Sequence, residues 1–455
     1  MKNATKKKIK AIIVLILFLE STGFSPCFAI KNKAEKINKK DYINIDFWEK
    51  YDDNNLNYFI LRAIESNYDL KIAEKNTQIY KELIGISISS ELPSIGGGFS
   101  PSYNKMPNTT KGDSFFAFPL YVNWEADIFL KNKDKILISR KDYEMSMLDE
   151  KSAYISIASM TGSIYFNILK LNKAIEIQNE IVELKKEILR LTTMQHKEGI
   201  ISYQEVIRAQ KAYINGVIDL TEFKKQRLTL INALCVLIGE NPGNAENFSY
   251  SDIEKIEFKG IIPNEINSNA IIYRPDYIKA EKNIEKAGLN VRVAKKEFLP
   301  SINLTGLALF NSGDFSKLLT TKSALLGLGG IITGDLFSGG QKIANLKIKK
   351  SQYEIALQNY EKTNLIAIQE INDSMIAINH DKTKYNDTKE QNNLELKDYN
   401  LHELKFNNGT ISKLDLIRAK ESLLSVKLLM LFNKTDCFID YISLYKALGA
   451  KIDNL

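Results

Sequence analysis

The chain carries one pattern twice, about 210 residues apart. The segment Gly199–Ala209 is echoed by Gly409–Ala419, and Leu92–Ile95 is echoed by Leu299–Ile302. The order is the same in both halves, and the offsets stay between 207 and 210. An echo of this length indicates a duplicated structural unit. Two equal halves in one body favour a pseudo-symmetric wall over a single catalytic pocket.

The N-terminus predicts a signal peptide over residues 1–29. Five lysines within Met1–Lys10 precede the apolar run Ala11–Leu19, and small residues follow at the two positions that a signal peptidase reads. Removal of this leader takes away the five lysines and Glu20, so the formal net charge falls from +7 to 7 − 5 + 1 = +3. That excess is too small to indicate nucleic-acid binding.

Three cysteines are present, and no disulfide framework is predicted from so few. Cys27 is a candidate lipidation site, although the residues before it match a lipoprotein motif poorly. Cys235 and Cys437 do not occupy equivalent positions of the repeat, and the sequence leaves their pairing open.

Long helices dominate the remaining sequence. Residues 135–239 predict a helical hairpin, because apolar residues recur at alternating three- and four-residue steps, and residues 341–449 repeat the pattern. A helix of about 60 residues reaches roughly 90 Å, more than a globular core needs. Shorter helices are predicted at about 57–89 and 275–297. No later stretch has the 18 apolar residues of a transmembrane helix.

Two strand pairs are predicted between these helices, at about 92–104 with 115–127 and at about 300–311 with 323–335. Apolar residues alternate with small or polar ones, and each segment has about the length of a tilted membrane strand. Four strands cannot close a pore, and open sheet edges are not tolerated in lipid. Other subunits are therefore expected to complete a barrel, and three copies would supply twelve strands.

Four motifs carry a family resemblance. They are Arg274–Asp276, Phe298–Gly306, Asp335–Gly340 and Leu444–Gly449. In this order, and with the duplication, the sequence resembles the outer-membrane efflux protein family, the TolC-like outer-membrane factors. It is most similar to the branch that serves resistance-nodulation-division pumps.

The resemblance implies a mixed α and β membrane protein. Its fold would be a homotrimeric 12-stranded β-barrel, with four strands per chain, continued by a long α-helical coiled-coil tunnel that tapers shut. The implied location is the outer membrane, in contact with its lipid and reaching into the periplasm. The implied partners are a periplasmic adaptor and an inner-membrane pump. With the internal duplication, residues 30–250 form the first structural repeat and residues 251–455 the second.

The first hairpin predicts a turn where its two helices meet. Gly199 is expected to end the long helix in a left-handed conformation. Ser202 and Glu205 follow as a capping box for the next helix. Arg208 lies one turn after Glu205, so the two side chains are expected to pair on the helix surface.

The second hairpin repeats this arrangement with Gly409, Ser412, Asp415 and Arg418. The resemblance implies that these turns form the closed aperture of the channel, with Asp415 on a ring of acids. Glu205 would add further acids, and the two arginines would neutralise the ring in part or tether neighbouring helices. Rings of carboxylates favour cations in a pore.

The favoured function is a passive exit duct for small molecules, either drugs or metal ions, driven by an inner-membrane pump. Two alternatives stay open: an outer-membrane duct for type I protein secretion, and a periplasmic coiled-coil spacer or adaptor. An enzyme is not expected, because no nucleophile–histidine–acid pattern, metal cluster or phosphate loop occurs. No cofactor, metal or nucleic-acid partner is predicted.

Overall fold

The computed structural model describes residues 39–105, 112–242, 248–261, 266 and 268–451. The predicted signal peptide and Cys27 lie outside this part of the chain. The described residues from Tyr42 onward belong to one compact unit.

Three helices open this unit: α1 spans Ile45–Glu49, α2 spans Asn54–Ser66 and α3 spans Tyr68–Ser89. The sequence predicted one helix over about 57–89, and the structure corrects this to two. They are separated at Asn67, whose backbone is not helical and whose side-chain oxygen accepts two hydrogen bonds from the first N–H groups of α3. An asparagine in that position starts a new helix because it satisfies N–H groups that no helical carbonyl reaches.

Two helical hairpins follow. The first joins α4, Lys131–Lys197, to α5, Tyr203–Leu237. After α6, Pro275–Lys296, the second joins α7, Gln341–Asn407, to α8, Lys413–Ala447. We call α4 the first rod and α7 the second rod; each has 67 residues, or about 100 Å of helix. No described helix combines the length and hydropathy needed to cross a bilayer.

Five strands form one antiparallel sheet: β1 Ser94–Gly97, β2 Ser100–Asn104, β3 Asp113–Ala126, β4 Ser301–Ser312 and β5 Ala324–Thr333. Both β1 and β2 pair with the same side of β3, which continues to β4 and then to β5. The sheet is therefore four strands wide, and the first of the four is interrupted.

The interruption corrects the predicted strand over 92–104. The Gly98 N–H group donates to the carbonyl oxygen of Pro119 at 3.0 Å. Pro119 has no N–H group to return a ladder bond, so the regular pairing stops beside it. The chain resumes the ladder at Ser100.

A buried aromatic core joins the two halves of the chain. The Phe47 ring stacks on that of Tyr445 with centroids 4.5 Å apart, and the Tyr51 hydroxyl donates to the Phe438 carbonyl at 3.2 Å. Trp48 is also fully buried there. Because the segment after residue 42 packs against α8, the start and the end of this unit share one core.

Gly162 is the only glycine of the first rod, and the core explains it. A Cβ at this position would collide with the Trp48 indole and lie 3.1 Å from the Ile442 side chain. The indole therefore packs directly on the rod backbone, which only glycine permits without rearrangement.

Candidate functional site

The turns at the two hairpin tips have nearly the same geometry. Gly199 has φ of 72° and Gly409 has φ of 71°, the left-handed region that favours glycine. Each glycine N–H donates to a carbonyl three residues back at 2.9 Å, and the following N–H donates to one five residues back at 2.9 Å. These paired bonds are the Schellman motif, and they close each rod as the sequence predicted.

The caps after the turns differ. The Ser412 hydroxyl and the Asp415 carboxylate form the predicted capping box, with the Asp415 N–H donating to Ser412 Oγ at 3.2 Å and the Ser412 N–H donating to Asp415 Oδ2 at 3.2 Å. The box predicted for Ser202 and Glu205 is absent, because Ser202 makes no side-chain cap bond.

The acids use their charges differently as well. Glu205 pairs with Arg208 at 2.7 Å, as predicted. Asp415 is held by Ser412 instead, and within the described chain it forms no ion pair with Arg418. Hydrogen bonds from Ser412 hold the pKa of Asp415 below its usual value, and the charge of Arg418 adds to this. Glu205 is thus neutralised by its neighbour, whereas Asp415 keeps an unpaired negative charge near the tip.

The structure brings three of the predicted site residues to one cleft. A cleft of about 220 Å³ lies among the first rod, α5 and α8, and its lining includes Glu205, Arg208 and Arg418. Lys185 and Glu421 line it too, and they form an ion pair of 3.2 Å across it. Asp415 is not part of this lining.

Ion pairs between the two hairpins are the site feature that the sequence analysis missed. Glu187 of the first rod pairs with Lys413 at the start of α8 at 2.9 Å, and the Lys185–Glu421 pair crosses the same boundary. Arg190, and then Lys413, lower the pKa of Glu187 to about 2. Only the tertiary arrangement reveals these partners, since they are more than 220 residues apart.

The sheet has two unlike faces, because side chains alternate along each strand. We call one the apolar face. The strand register places most of the large apolar residues on the apolar face. On β3 these residues are Phe116, Phe118, Leu120, Val122 and Trp124. We call the other the mixed face; it carries polar residues such as Asn123, Thr305 and Thr333 together with glycines and leucines.

Both edges of the sheet lack a partner strand within the described chain. One edge is formed by β1 and β2, and the other by β5. On β5, Leu328 of the apolar face is 95% exposed. The sheet therefore has an apolar face and two unpaired edges, and it is attached to two long helical hairpins.

A family model described as outer membrane efflux protein matches residues 59–240 and 267–450. The chain belongs to the outer membrane efflux protein family. This confirms the resemblance drawn from the four motifs, and with it the outer-membrane location and the efflux role that were predicted.

Individual members of the outer membrane efflux protein family match over most of their length. The chain is 24% identical over 391 residues to toxin and drug export protein A of Aggregatibacter actinomycetemcomitans, covering 84% of each chain. It is 23% identical over 419 residues to the cation efflux system protein CusC of Escherichia coli O157:H7, covering 90% and 89%. The solved CmeC outer membrane channel of Campylobacter jejuni superposes with a TM-score of 0.81 at 26% identity, covering 90% and 88%.

Arg274, which belongs to the first of the four motifs, is buried and forms hydrogen bonds to three parts of the chain. Its guanidinium donates to both carboxylate oxygens of Asp276 at 3.0 and 2.7 Å and to Glu370 of the second rod at 2.7 Å. A further bond of 2.8 Å reaches the carbonyl of Ala447, at the end of α8. One side chain therefore ties α6 to both helices of the second hairpin.

Asn67 has the corresponding role in the first half. Its side-chain amide donates to the carbonyl of Leu237, at the end of α5, at 2.9 Å. A neutral amide replaces the guanidinium, so this junction lacks the link to a rod carboxylate that Arg274 makes.

The cysteines and histidines of the described ranges do not gather into a metal-binding group. Cys235 and Cys437 are both free and buried, so the pairing that the sequence left open does not form. His196 lies at the first tip turn, where Nδ1 is 3.0 Å from the Ile201 carbonyl oxygen. No group of three metal-ligating side chains occurs among the residues that the structure describes.

Proposed function

We propose that three copies of this chain form the outer-membrane duct of a tripartite efflux system. The observation that carries the proposal is the sheet with two unpaired edges and one apolar face. In lipid, unpaired backbone groups must find partners, so β5 of one copy would pair with β1 and β2 of the next. Three copies would then close a barrel of twelve strand positions.

Exposed apolar ridges beside those edges support the same assembly. On α3, which leads into β1, Ile72, Ile79 and Ile86 are exposed. On the second rod, which follows β5, Ile343 and Ile355 are exposed. Pairing the sheet edges of two copies would bring these two ridges together and bury apolar area on both.

We infer an internal duplication for the same body, with one repeat over residues 30–250 and the other over 251–455. Helix lengths support it: α3 and α6 each have 22 residues, the rods each have 67, and α5 and α8 each have 35. The matching glycine turns at both tips support it further. A signal peptide over residues 1–29 would direct the chain out of the cytoplasm, and Cys27 would carry a lipid only if the leader is processed before it.

The hairpin tips are our proposed aperture. Gly199 and Gly409 would shape the turns, Ser202 and Ser412 would begin the return helices, and Asp415 would place a negative charge on the ring. Pairing with Arg208 would make the contribution of Glu205 to the ring weaker than the sequence suggested. Charge contacts such as Glu187 with Lys413 would hold the second hairpin against the first in the closed state.

The duct itself would perform no reaction and hold no cofactor, since it belongs to a family of channel proteins. Energy would come from an inner-membrane pump, of the resistance-nodulation-division type, through a periplasmic adaptor. The cargo class we propose is small molecules, because the relatives include proteins named for drug export and for cation efflux.

A second candidate function is export of toxins, which one relative includes in its name, toxin and drug export protein A. A larger cargo needs a wider opening at the tips. A periplasmic spacer is disfavoured, because it has no use for an apolar sheet face.

Single-channel recording in planar bilayers tests the duct. We expect a small conductance with a preference for cations. In a salt gradient, the double variant Asp415→Asn with Glu205→Gln should shift the reversal potential toward zero, because cation selectivity is reduced. Asp219→Asn, an exposed acid further along α5, serves as the matched control and should leave selectivity unchanged.

The outcomes separate two claims. Absence of conductance from inserted protein, or a detergent particle with the mass of one chain, would contradict the trimeric duct. Conductance that is unaffected by the double substitution would contradict only the assignment of the aperture.

A further inference from the structure

The mixed face of the sheet is divided into zones along the strands. Nearest the helices, polar side chains bond across the strands: the Ser301 and Thr333 hydroxyl oxygens are 2.8 Å apart, and the Thr305 hydroxyl donates to Asn123 Oδ1 at 3.3 Å. Polar side chains of this kind can face a water-filled lumen, because water can hydrogen-bond to them.

Further from the helices the mixed face becomes apolar. Pro119, Leu309 and Leu325 lie directly opposite one another in one register row across three strands. Leu307 lies one row nearer the helices, opposite Tyr121. We call Pro119, Leu307, Leu309 and Leu325 the apolar belt.

Polar residues return beyond the belt. Asn311 follows Leu309 on the same face of β4, and Asn104 pairs with Asp113 where β2 meets β3. Phe115 lies between these two positions on the same face, and on the helix side Ile331 interrupts the polar residues. The belt thus has Asn123 and Thr305 on one side and Asn311 on the other, and it is not an extension of the apolar face. Leu325 is 58% exposed and Leu307 is 38% exposed in the single chain.

We propose that the apolar belt lines the half of the barrel lumen that lies away from the helices, and that it favours solutes with apolar surface over hydrated ions. The inference rests on the trimeric barrel proposed above, in which the apolar face meets lipid and the mixed face meets the lumen. Three copies would place nine leucines and three prolines around the pore, in two adjacent register rows.

The physical reason is that water gains little from contact with leucine side chains. A solute that covers them with its own apolar surface removes both surfaces from water, which is favourable. A hydrated metal ion covers nothing and gains nothing there. The belt would thus act as a specificity-determining surface for amphipathic organic molecules within the proposed efflux role.

Cysteine accessibility tests the placement of the belt. In membrane-inserted protein, Leu309→Cys should react with a charged, membrane-impermeant methanethiosulfonate, whereas Leu326→Cys on the apolar face should not. The background reaction should be low, because Cys235 and Cys437 are buried. Failure of Leu309→Cys to react would overturn the inference, because the belt would then not lie in water.

Protection of that cysteine tests the preference. Tetrabutylammonium and tetramethylammonium carry the same charge but differ in apolar surface. We expect tetrabutylammonium to slow modification of Leu309→Cys at a concentration at least about tenfold lower than tetramethylammonium. Adding Leu307→Thr and Leu325→Thr should reduce that ratio to within about twofold. The matched pair Leu304→Thr and Leu326→Thr, on the apolar face, should keep it.

Equal protection by the two ions, or an unchanged ratio after removal of Leu307 and Leu325, would overturn the belt while leaving the duct intact. Loss of conductance in the unsubstituted protein would instead contradict the proposed function. Each variant is compared at the same detergent-particle mass and melting temperature, so that a folding defect is recognised.

Discussion

The two rods have the same length but different surroundings. The first rod buries 25 of its 67 residues, whereas the second buries six: Ala356, Ala367, Ile371, Ser374, Ile378 and Thr388. The first rod packs on α3, α5, α6 and α8, and it carries the aromatic core. The second rod packs on α6 and α8 and exposes leucines and isoleucines along much of its length.

The duplicated halves are therefore not equivalent within one chain. The first rod is stabilised inside the protomer, where it joins elements of both halves. The second rod exposes isoleucines and leucines that no element of the described chain covers. Under the proposed assembly a second copy would cover them.

The most disruptive test compares a buried position on the first rod with an exposed position on the second. Ile168 is fully buried in the first rod, whereas Ile376 of the second rod is 66% exposed. We expect Ile168→Ala to lower the free energy of unfolding by about 2–5 kcal/mol, through lost burial and a residual cavity. Ile376→Ala should change that of the dissociated protomer by no more than about 0.5 kcal/mol.

Urea unfolding followed by circular dichroism measures both changes. In the proposed trimer, Ile376→Ala should instead shift the equilibrium toward single chains, which sedimentation in detergent would detect. If the two variants lose the same free energy of unfolding in the dissociated protomer, the rods do not differ in burial as described.

A smaller effect is expected at the glycine of the first rod. Gly162→Ala forces a methyl group into the Trp48 indole and should cost about 1–3 kcal/mol. Gly288→Ala in α6 is the matched control, because its added methyl group would lie 3.7 Å from the nearest atom, on the Tyr353 ring. There the lower entropy of the unfolded chain should stabilise the protein by up to about 1 kcal/mol. A melting temperature that rises in both variants would contradict the packing described for Gly162.

A pH effect is expected where the second rod meets α8. Burial, followed by the neighbouring carboxylates of Asp381 and Asp436, raises the pKa of Asp440 from 3.8 to about 7, while His380 opposes the shift. The folded state therefore holds this proton more tightly than the unfolded state. The stabilisation is complete below about pH 4 and is lost as the pH rises through about 7.

Asp440→Asn should remove that loss between pH 4 and pH 7, and thermal melts across this range would show it. Asp387 is an exposed acid on the second rod, and Asp387→Asn should leave the dependence of the melting temperature on pH unchanged. If the slope is the same in Asp440→Asn as in the unsubstituted protein, another group is responsible.

The smallest effect on stability is expected at the ion pairs between the hairpins. Glu187→Gln breaks the bridge from the first rod to Lys413, but exposed pairs contribute little to folding. Channel opening should respond more, with longer open times in single-channel records. Glu183→Gln removes a pair with Lys186 inside the first rod and is the matched control. Identical open times in the two variants would show that the bridge does not hold the tip.

Much of the fold was predictable from local pattern. The rods, the return helices and the strand positions follow from apolar periodicity, and the tip turns follow from glycine. Errors arose where a single side chain decided the local structure. Asn67 divides a helix that periodicity treats as continuous, and Pro119 stops the pairing of a neighbouring strand without any signal in that strand.

The candidate site was predicted in its residues but not in its contacts. Ser202 and Ser412 stand in the same sequence context, yet only Ser412 forms a capping box. The pairs of Lys185 and Glu187 with α8 were not foreseen, because charges on exposed helix faces carry no sign of which distant helix they meet.

The sequence by itself determined the periods: 3.6 residues for the rods, two for the strands, and about 210 for the duplicated pattern. Those depend on local chemistry and so can be read from neighbours along the chain. Only the tertiary structure decided which rod is buried, why Gly162 has no side chain and which charges join the hairpins. These features depend on contacts between residues far apart in the chain. The same local pattern can occur in a buried helix or in an exposed one, so the pattern alone does not specify these contacts.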